Sequence, residues 1–233
     1  FAPWCMYKDD YLEVGGHDKL FAPQSREDSD LFNRFQLNGY NFIQSWDGLV
    51  YHFTSRGSRY NKYAGGDTGK DSPEWQQTNQ KNMRNFIRKW GHMVKHDEYM
   101  KPIIPPKYDI GFVVMNCNYQ LLHALEPWCS TIQSDRQMFN AKASIWRYRN
   151  TEQKNTLFDL SKRVNWPPKN KLTNDIIVEF DGNQLTNENF QFLQQLPEIL
   201  RDSGEEGVME YDIFKITIMS LRTYERDLII CKK

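Results

Sequence analysis

Two adjacent carboxylates, Glu27 and Asp28, stand where the sequence predicts the mouth of a helix. Carboxylates in a first helical turn are stabilised by free amide groups and by the positive end of the helix dipole. Those surroundings keep a carboxylate ionised at neutral pH, and an ionised carboxylate at an exposed helix mouth can take a proton from a hydroxyl. Further along, a predicted strand over Leu49–Phe53 contains His52, and the run Ser55-Arg56-Gly57-Ser58-Arg59 follows. Arg56, Arg59 and Ser58 offer donors suited to a phosphate. His52 is a candidate metal ligand.

The elements that must position these groups are legible in outline. Gly15-Gly16 predicts a turn with positive φ. Ser25 is the candidate N-cap of the acidic helix, with Asp28 three residues on as a short variant of the capping box. Leu31, Phe32 and Phe35 recur at helical spacing, and Gly39 supplies the stop. Trp4–Tyr7 reads as a short buried strand. The polar, glycine-bearing stretch 60–73 is a long loop, a class that is often functional. An amphipathic helix is expected over Glu74–His96, which would place His92 and His96 one turn apart. Their neighbours lack the HExxH pattern of a zinc site.

Prolines 102, 105 and 106 mark the best boundary. It separates residues 1–101 and 108–233, with 102–107 as linker. The second half alternates: strand over Ile110–Cys117, helix over Tyr119–Leu125, strand over Ala143–Tyr148 and helix over Thr156–Val164. Strand over Ile176–Phe180 and helix over Glu188–Leu200 follow, and strands over Val208–Leu221 and Leu228–Cys231 close the chain. Such alternation predicts α/β or α+β layering. Asp181-Gly182-Asn183 reads as a turn after a strand. No nucleophile elbow, Walker loop or Rossmann glycine pattern occurs.

Acidic and basic residues balance at 30 each, so no global field draws the chain to nucleic acid or an anionic membrane. No apolar run approaches the roughly 20 residues of a membrane span, and no leader peptide is visible. The four cysteines are far apart and form no CxxC, which predicts buried free thiols in a reducing compartment and a cytoplasmic location. The chain opens directly on the aromatic segment Phe1–Tyr7, so further sequence upstream is expected.

Several of these segments, taken in order, resemble the C-terminal half of GT-A glycosyltransferases, especially family 2. They are Gly15-Gly16-His17-Asp18-Lys19-x-Phe21, then Arg26-Glu27-Asp28-Ser29-Asp30-Leu31 with Arg34 and Gly39-Tyr40, then Val50-Tyr51-His52-Phe53, then Phe86-Ile87-Arg88-Lys89-Trp90-Gly91. The resemblance ends near residue 100. His17 departs from it, since the family has an aromatic residue there.

The resemblance implies an α/β fold, here a partial GT-A-like mixed sheet with flanking helices, followed by a second, smaller α/β or α+β domain. It implies inverting sugar transfer from a nucleotide-sugar donor to a glycan or other hydroxyl acceptor, with Mn or Mg as divalent metal. Asp28 would be the general base and Glu27 would position the acceptor beside Gly15, Gly16, His17 and Trp46. His52, Arg56, Ser58 and Arg59 would face the donor, and the 60–73 loop would order over it. The family's N-terminal, Asp-x-Asp-bearing half is missing from residues 1–101. Ile110–Ile132 resembles the first strand and helix of a nucleotide-binding unit but lacks that motif. A different class of function also fits: a non-enzymatic, glycosyltransferase-derived structural or carbohydrate-binding module, with Trp46, Trp75 and Tyr60 as stacking faces.

Overall fold

The computed structural model describes residues 4–51, 57–134, 141–166 and 172–230. The chain forms two units. One draws on Phe1–Phe86, Val94–Ile104 and Asp227–Lys233, and the other on Ile87–Met93 and Pro105–Arg226.

The first unit is helical. It contains α1 (Lys8–Glu13), α2 (Glu27–Leu37) and most of α3 (Pro73–Trp90), whose last turn belongs to the second unit. Leu31 and Phe35, one helical turn apart, pack with Val14, and Met6, Tyr11, Tyr40 and Phe42 close around them. The α2 helix stops where expected: Asn38 is its C-cap and Gly39 follows at φ +88°. Asn82 on α3 donates to the carbonyls of Phe21 and Gln24, both at 2.6 Å, and so ties the segment before α2 to α3.

Several sequence expectations change here. Among the described residues this unit has no strand, so the expected Trp4–Tyr7 and Leu49–Phe53 strands are absent as far as they are described. Ile43, Leu49 and Tyr51 are almost fully exposed. A strand needs a hydrogen-bonded neighbour, and none stands beside these residues. Helix α3 ends at Trp90 rather than running to His96, because Gly91 takes φ +82°. The His92–His96 pair therefore does not share a helical face.

The second unit is α/β. Its mixed sheet has the order β3-β2-β1-β4-β6-β5. The strands are β1 (Ile110–Met115), β2 (Thr131–Ser134), β3 (Val164–Asn165), β4 (Ile176–Asp181), β5 (Gly207–Tyr211) and β6 (Phe214–Ile218). The first four are mutually parallel, and β6 runs antiparallel to β4. Flanking helices are α4 (Tyr119–Leu125), α5 (Ala141–Glu152), α6 (Leu160–Arg163) and α7 (Asn187–Ser203). Central β1 is apolar on both faces, as a strand with neighbours on both sides and layers above and below must be. In β4 the buried residues Ile176, Val178 and Phe180 alternate with less buried ones.

The segment expected as a strand over Ala143–Tyr148 is part of α5 instead. Ile145 and Tyr148 are buried three residues apart while Trp146 faces out, which is a helical period. Val208–Leu221 is a hairpin, β5 and β6, that turns at Asp212, where φ is +52°. Only Leu160–Arg163 of the expected 156–164 helix is α-helical. Leu228 closes a 3-10 turn in place of a strand, up to the last described residue. Cys117 and Cys129 are buried as expected, but Cys5 is exposed. Among the described residues no helix is long and apolar enough to cross a membrane.

A buried ionic network holds the second unit together. Arg88 reaches Glu126 at 2.8 Å and Glu152 at 2.5 Å, Tyr148 donates to Glu126 at 2.9 Å, and Arg163 donates to Glu126 at 2.6 Å. Burial alone would raise the Glu126 carboxyl. The guanidinium groups of Arg163 and Arg88 outweigh it and hold the carboxyl at about 2.

A second constraint is Gly111 on β1. A Cβ there would meet the Asn174 side chain at 2.4 Å and Leu172 at 2.9 Å. Asn174 cannot retreat easily, since it donates to Asp109 at 2.7 Å and accepts from Thr131 at 2.6 Å.

Two outcomes follow for equilibrium unfolding in urea. Glu126→Gln should cost about 3 kcal/mol near neutral pH, because two buried guanidinium groups lose their shared counter-charge. Its carboxyl is lowered in the folded state, so the stabilisation is complete above the ordinary value of 4.5 and is lost as pH falls toward about 2. The gap between wild type and Glu126→Gln should therefore narrow over that window. Gly111→Ala should cost about 2 kcal/mol through overpacking at every pH tested.

Candidate active site

The acidic helix mouth and the glycine turn meet in the first unit, and one buried side chain makes them meet. Arg34 lies on α2, one turn after Asp30. Its Nε donates to Asp30 at 2.9 Å, and both side chains are wholly excluded from solvent. Its two terminal nitrogens donate to the backbone carbonyls of Val14, at 2.5 Å, and Gly16, at 2.6 Å. A guanidinium presents donors in a rigid fork, and here that fork spans from a helix to a loop.

The loop can accept this clamp because of its glycines. Gly15 and Gly16 take φ +83° and +69°. A Cβ on Gly16 would meet the Tyr11 ring at 3.0 Å. The turn places His17 next to α2. His17 Nε2 lies 3.7 Å from Asp28 Oδ1, an ion-pair distance. On the other side of the ring, Nδ1 lies 2.8 Å from the Tyr11 hydroxyl, which also accepts from the His17 amide at 3.0 Å. With that hydroxyl donating to Nδ1, the Nε2 proton points toward Asp28. Tyr11, His17 and Asp28 therefore form a chain that ends on a carboxylate about two-thirds shielded from solvent.

The entry to α2 differs from the expected capping box. The N-cap is Arg26, not Ser25, and its side chain makes no cap hydrogen bond. Both residues adopt left-handed backbone, at φ +80° for Ser25 and +73° for Arg26. Ser25 instead donates to Asn79 at 3.4 Å. Two left-handed non-glycine residues in succession store strain, on the order of 1 kcal/mol each, and they aim the first turn of α2. Glu27 opens the helix. Its Oε2 is buried and has no hydrogen-bond partner among the described residues. A buried carboxylate oxygen without a donor is costly.

The donor-side residues are less coherent. His52 and Arg56 lie outside the described residues. Ser58 opens a 3-10 turn over Ser58–Tyr60. Arg59 is already engaged: it donates to Asp71 at 2.5 and 3.2 Å, and its guanidinium stacks 4.6 Å over the Trp75 ring. The 60–73 loop is braced by that pair and by the Ser72 amide donating to the Arg59 carbonyl at 2.8 Å. Trp46 is 76% exposed on coil and contacts none of Glu27, Asp28 and His17 in any aromatic or polar pairing described. Among the described residues no three His, Cys, Asp or Glu side chains gather to hold a metal. His52, the candidate ligand, lies outside those residues.

Two contributors carried no assigned role in the sequence. Tyr11 stands four residues before Gly15, with no motif to mark it. Arg34 was visible as a residue of the motif, and its spacing of four from Asp30 was the available signal of an intrahelical pair.

Comparison of the chain with protein-family models, with characterised proteins and with solved structures gives no match in any of the three.

If Arg34 holds the turn to α2, Arg34→Met should destabilise the protein by about 4 kcal/mol, since it leaves Asp30 buried without its counter-charge. Arg34→Lys should recover little of this, because an ammonium cannot reproduce the fork. Urea unfolding checks both. Amide hydrogen exchange should speed up at residues 14–17 in the folded ensemble of each variant.

Proposed function

We propose that the Asp28 site performs inverting sugar transfer from a nucleotide-sugar to an acceptor hydroxyl. The observation that carries this reading is the Tyr11–His17–Asp28 chain beside a second carboxylate, Glu27, whose buried oxygen lacks a donor. Asp28 removes the acceptor hydroxyl proton as that oxygen attacks the anomeric carbon. The bond from that carbon to the nucleoside diphosphate oxygen breaks on the opposite face, and the diphosphate leaves with the electron pair. A positioned carboxylate base contributes typically about 10²–10⁴-fold to such a step. His17, oriented by Tyr11, fixes the position of Asp28. Glu27 accepts a neighbouring hydroxyl of the acceptor and so sets its approach. The fit of these roles to the glycosyltransferase resemblance supports the reading further.

The donor side of the proposal is thinner. Arg59 is committed to Asp71 and Trp75, so phosphate binding by it would require that pair to open. This observation favours the second reading, a non-catalytic carbohydrate-binding or structural module. Taken by itself, the α/β unit has a candidate ligand-binding position. Its strand order reverses between β1 and β4, and ligands of open α/β sheets bind outside the carboxyl ends of strands at such a reversal. At that point Asn116 donates to Asp181 at 2.9 Å, and the Asn183 amide donates to the same carboxylate at 2.9 Å.

The test is transfer from UDP- and GDP-sugars to a panel of glycosides, with Mn²⁺ or Mg²⁺ supplied, by the protein expressed from its full reading frame. Asp28→Asn should lower kcat by about 10³-fold, within the range of general-base loss, while its urea midpoint stays near that of wild type. Transfer that survives the substitution undiminished would remove Asp28 from the role of base. Absence of transfer from every donor, with saccharide binding retained, would favour the module.

A further inference from the structure

A cleft of about 600 Å³ opens in the same unit as the Asp28 site, with Phe32 of α2 and Trp4 among its walls. We infer that it is the acceptor subsite and that it takes a neutral pyranose ring, as the terminal residue of a glycan. This inference rests on the sugar-transfer reading for its role as acceptor site, and on the cleft itself for its ligand class.

The position comes first. Phe32, one wall of the cleft, lies one helical turn after Asp28 on α2 and so on the same face. Trp4, a second wall, meets Phe32 edge-on, with ring centroids 6.4 Å apart at 80°. The same indole lies 6.0 Å from the His17 ring, and His17 is the partner of Asp28. Phe32 and Trp4 thus link the cleft to the helix face and to the histidine of the Asp28 site.

The lining gives the ligand class. Trp4 is 39% exposed, so part of its ring is open to a ligand. Phe42 stands edge-on to Phe32 at 5.4 Å and extends the aromatic surface. Asp10 also lines the cleft. The Tyr40 hydroxyl lies 3.1 Å from Asp10 Oδ1 and 2.7 Å from Glu13 Oε2. A phenol has one proton to give, and the shorter bond assigns it to Glu13. Asp10 therefore keeps acceptor capacity toward the cleft. Neutral amide and hydroxyl groups of Asn41 and Ser45 complete the lining. Aromatic faces suit the C–H face of a sugar ring, and a carboxylate with neutral polar groups suits its hydroxyls. The volume falls within the roughly 300–1,000 Å³ typical of small-molecule sites.

Saturation-transfer NMR with methyl glucoside, methyl galactoside, cellobiose and lactose tests this on the whole protein. At least one saccharide should bind with Kd in the millimolar range, about −4 kcal/mol. Trp4→Ala should weaken it by about 10-fold, the scale of one aromatic contact. Asp10→Asn should weaken it also. Ser45→Trp, which fills the cleft from exposed coil without deleting any packing, should abolish it. Asp28→Asn should leave binding within about 2-fold while removing transfer.

Binding that is indifferent to Trp4→Ala and Ser45→Trp would overturn the inference, as would no binding of any saccharide at 50 mM, about fifty times the expected Kd. So would binding of tetramethylammonium in the cleft in preference to the sugars. Transfer that is lost in Asp28→Asn but keeps its acceptor KM in Ser45→Trp would reject the cleft and leave the sugar-transfer reading standing. Saccharide binding that follows the predicted pattern without any transfer would uphold the ligand class and reject the reading.

Discussion

The first unit depends on the burial of one guanidinium. Arg34 sits at zero exposure, and a buried charge costs several kcal/mol unless it is paired and fully hydrogen-bonded. Here Asp30 supplies the counter-charge and two carbonyls of the glycine turn take the remaining donors. Those carbonyls belong to Val14 and Gly16, so any movement of the turn away from α2 would strand donors in the interior. The proximity of His17 to Asp28 is a consequence of this bond geometry, because His17 is the next residue after the clamped turn.

The second unit has an ionic hub of the same kind and a different use. Arg88 and Arg163 converge on Glu126, with Glu152 and Tyr148 completing the set. This joins the end of α3, the segment after α4, α5 and α6, all of which belong to this unit. The sheet beside it is ordered by a separate requirement. Central β1 must be apolar on both faces and must lack a Cβ at Gly111, where Asn174 crosses the strand. The parallel strands β3, β2, β1 and β4 then fan out from that centre, and the order reverses at β1 and β4. The polar groups Asn116, Asp181 and Asn183 collect at the carboxyl ends of those two strands.

The candidate site combines rigidity with unmet bonding capacity. Asp28 is held by His17, and His17 by Tyr11. Glu27, by contrast, keeps a buried oxygen without a donor among the described residues, and Asp10 receives only the longer of the two Tyr40 contacts. Preorganised groups with unmet capacity gain from a ligand that completes them. The rings of Trp4 and Phe42 each pack edge-on to Phe32.

Local signals in the sequence were enough for α2, for α4, for β4 and for the glycine turn. The spacing of Leu31 and Phe35, the stop that Pro127 sets after Leu125, the mostly apolar run Ile176–Phe180, and Gly15-Gly16 each carry their own geometry. They also placed Glu27 and Asp28 at a helix mouth. What the sequence could not decide was anything that depends on a distant partner. Trp4–Tyr7 and Leu49–Phe53 look like strands by composition, yet among the described residues no neighbour pairs with them. Ile145 and Tyr148 read as strand until burial on one side of α5 showed their period. Ser25 has the right side chain for a cap, but a left-handed backbone at Ser25 and Arg26 moves the cap one residue on. The meeting of Tyr11, His17 and Asp28 rests on Arg34, whose bonds span 18 and 20 residues. A residue type and its spacing determine what a segment can do locally. Which segment it does it against is settled by the desolvation cost of buried charge, and that cost exists only once the chain has folded.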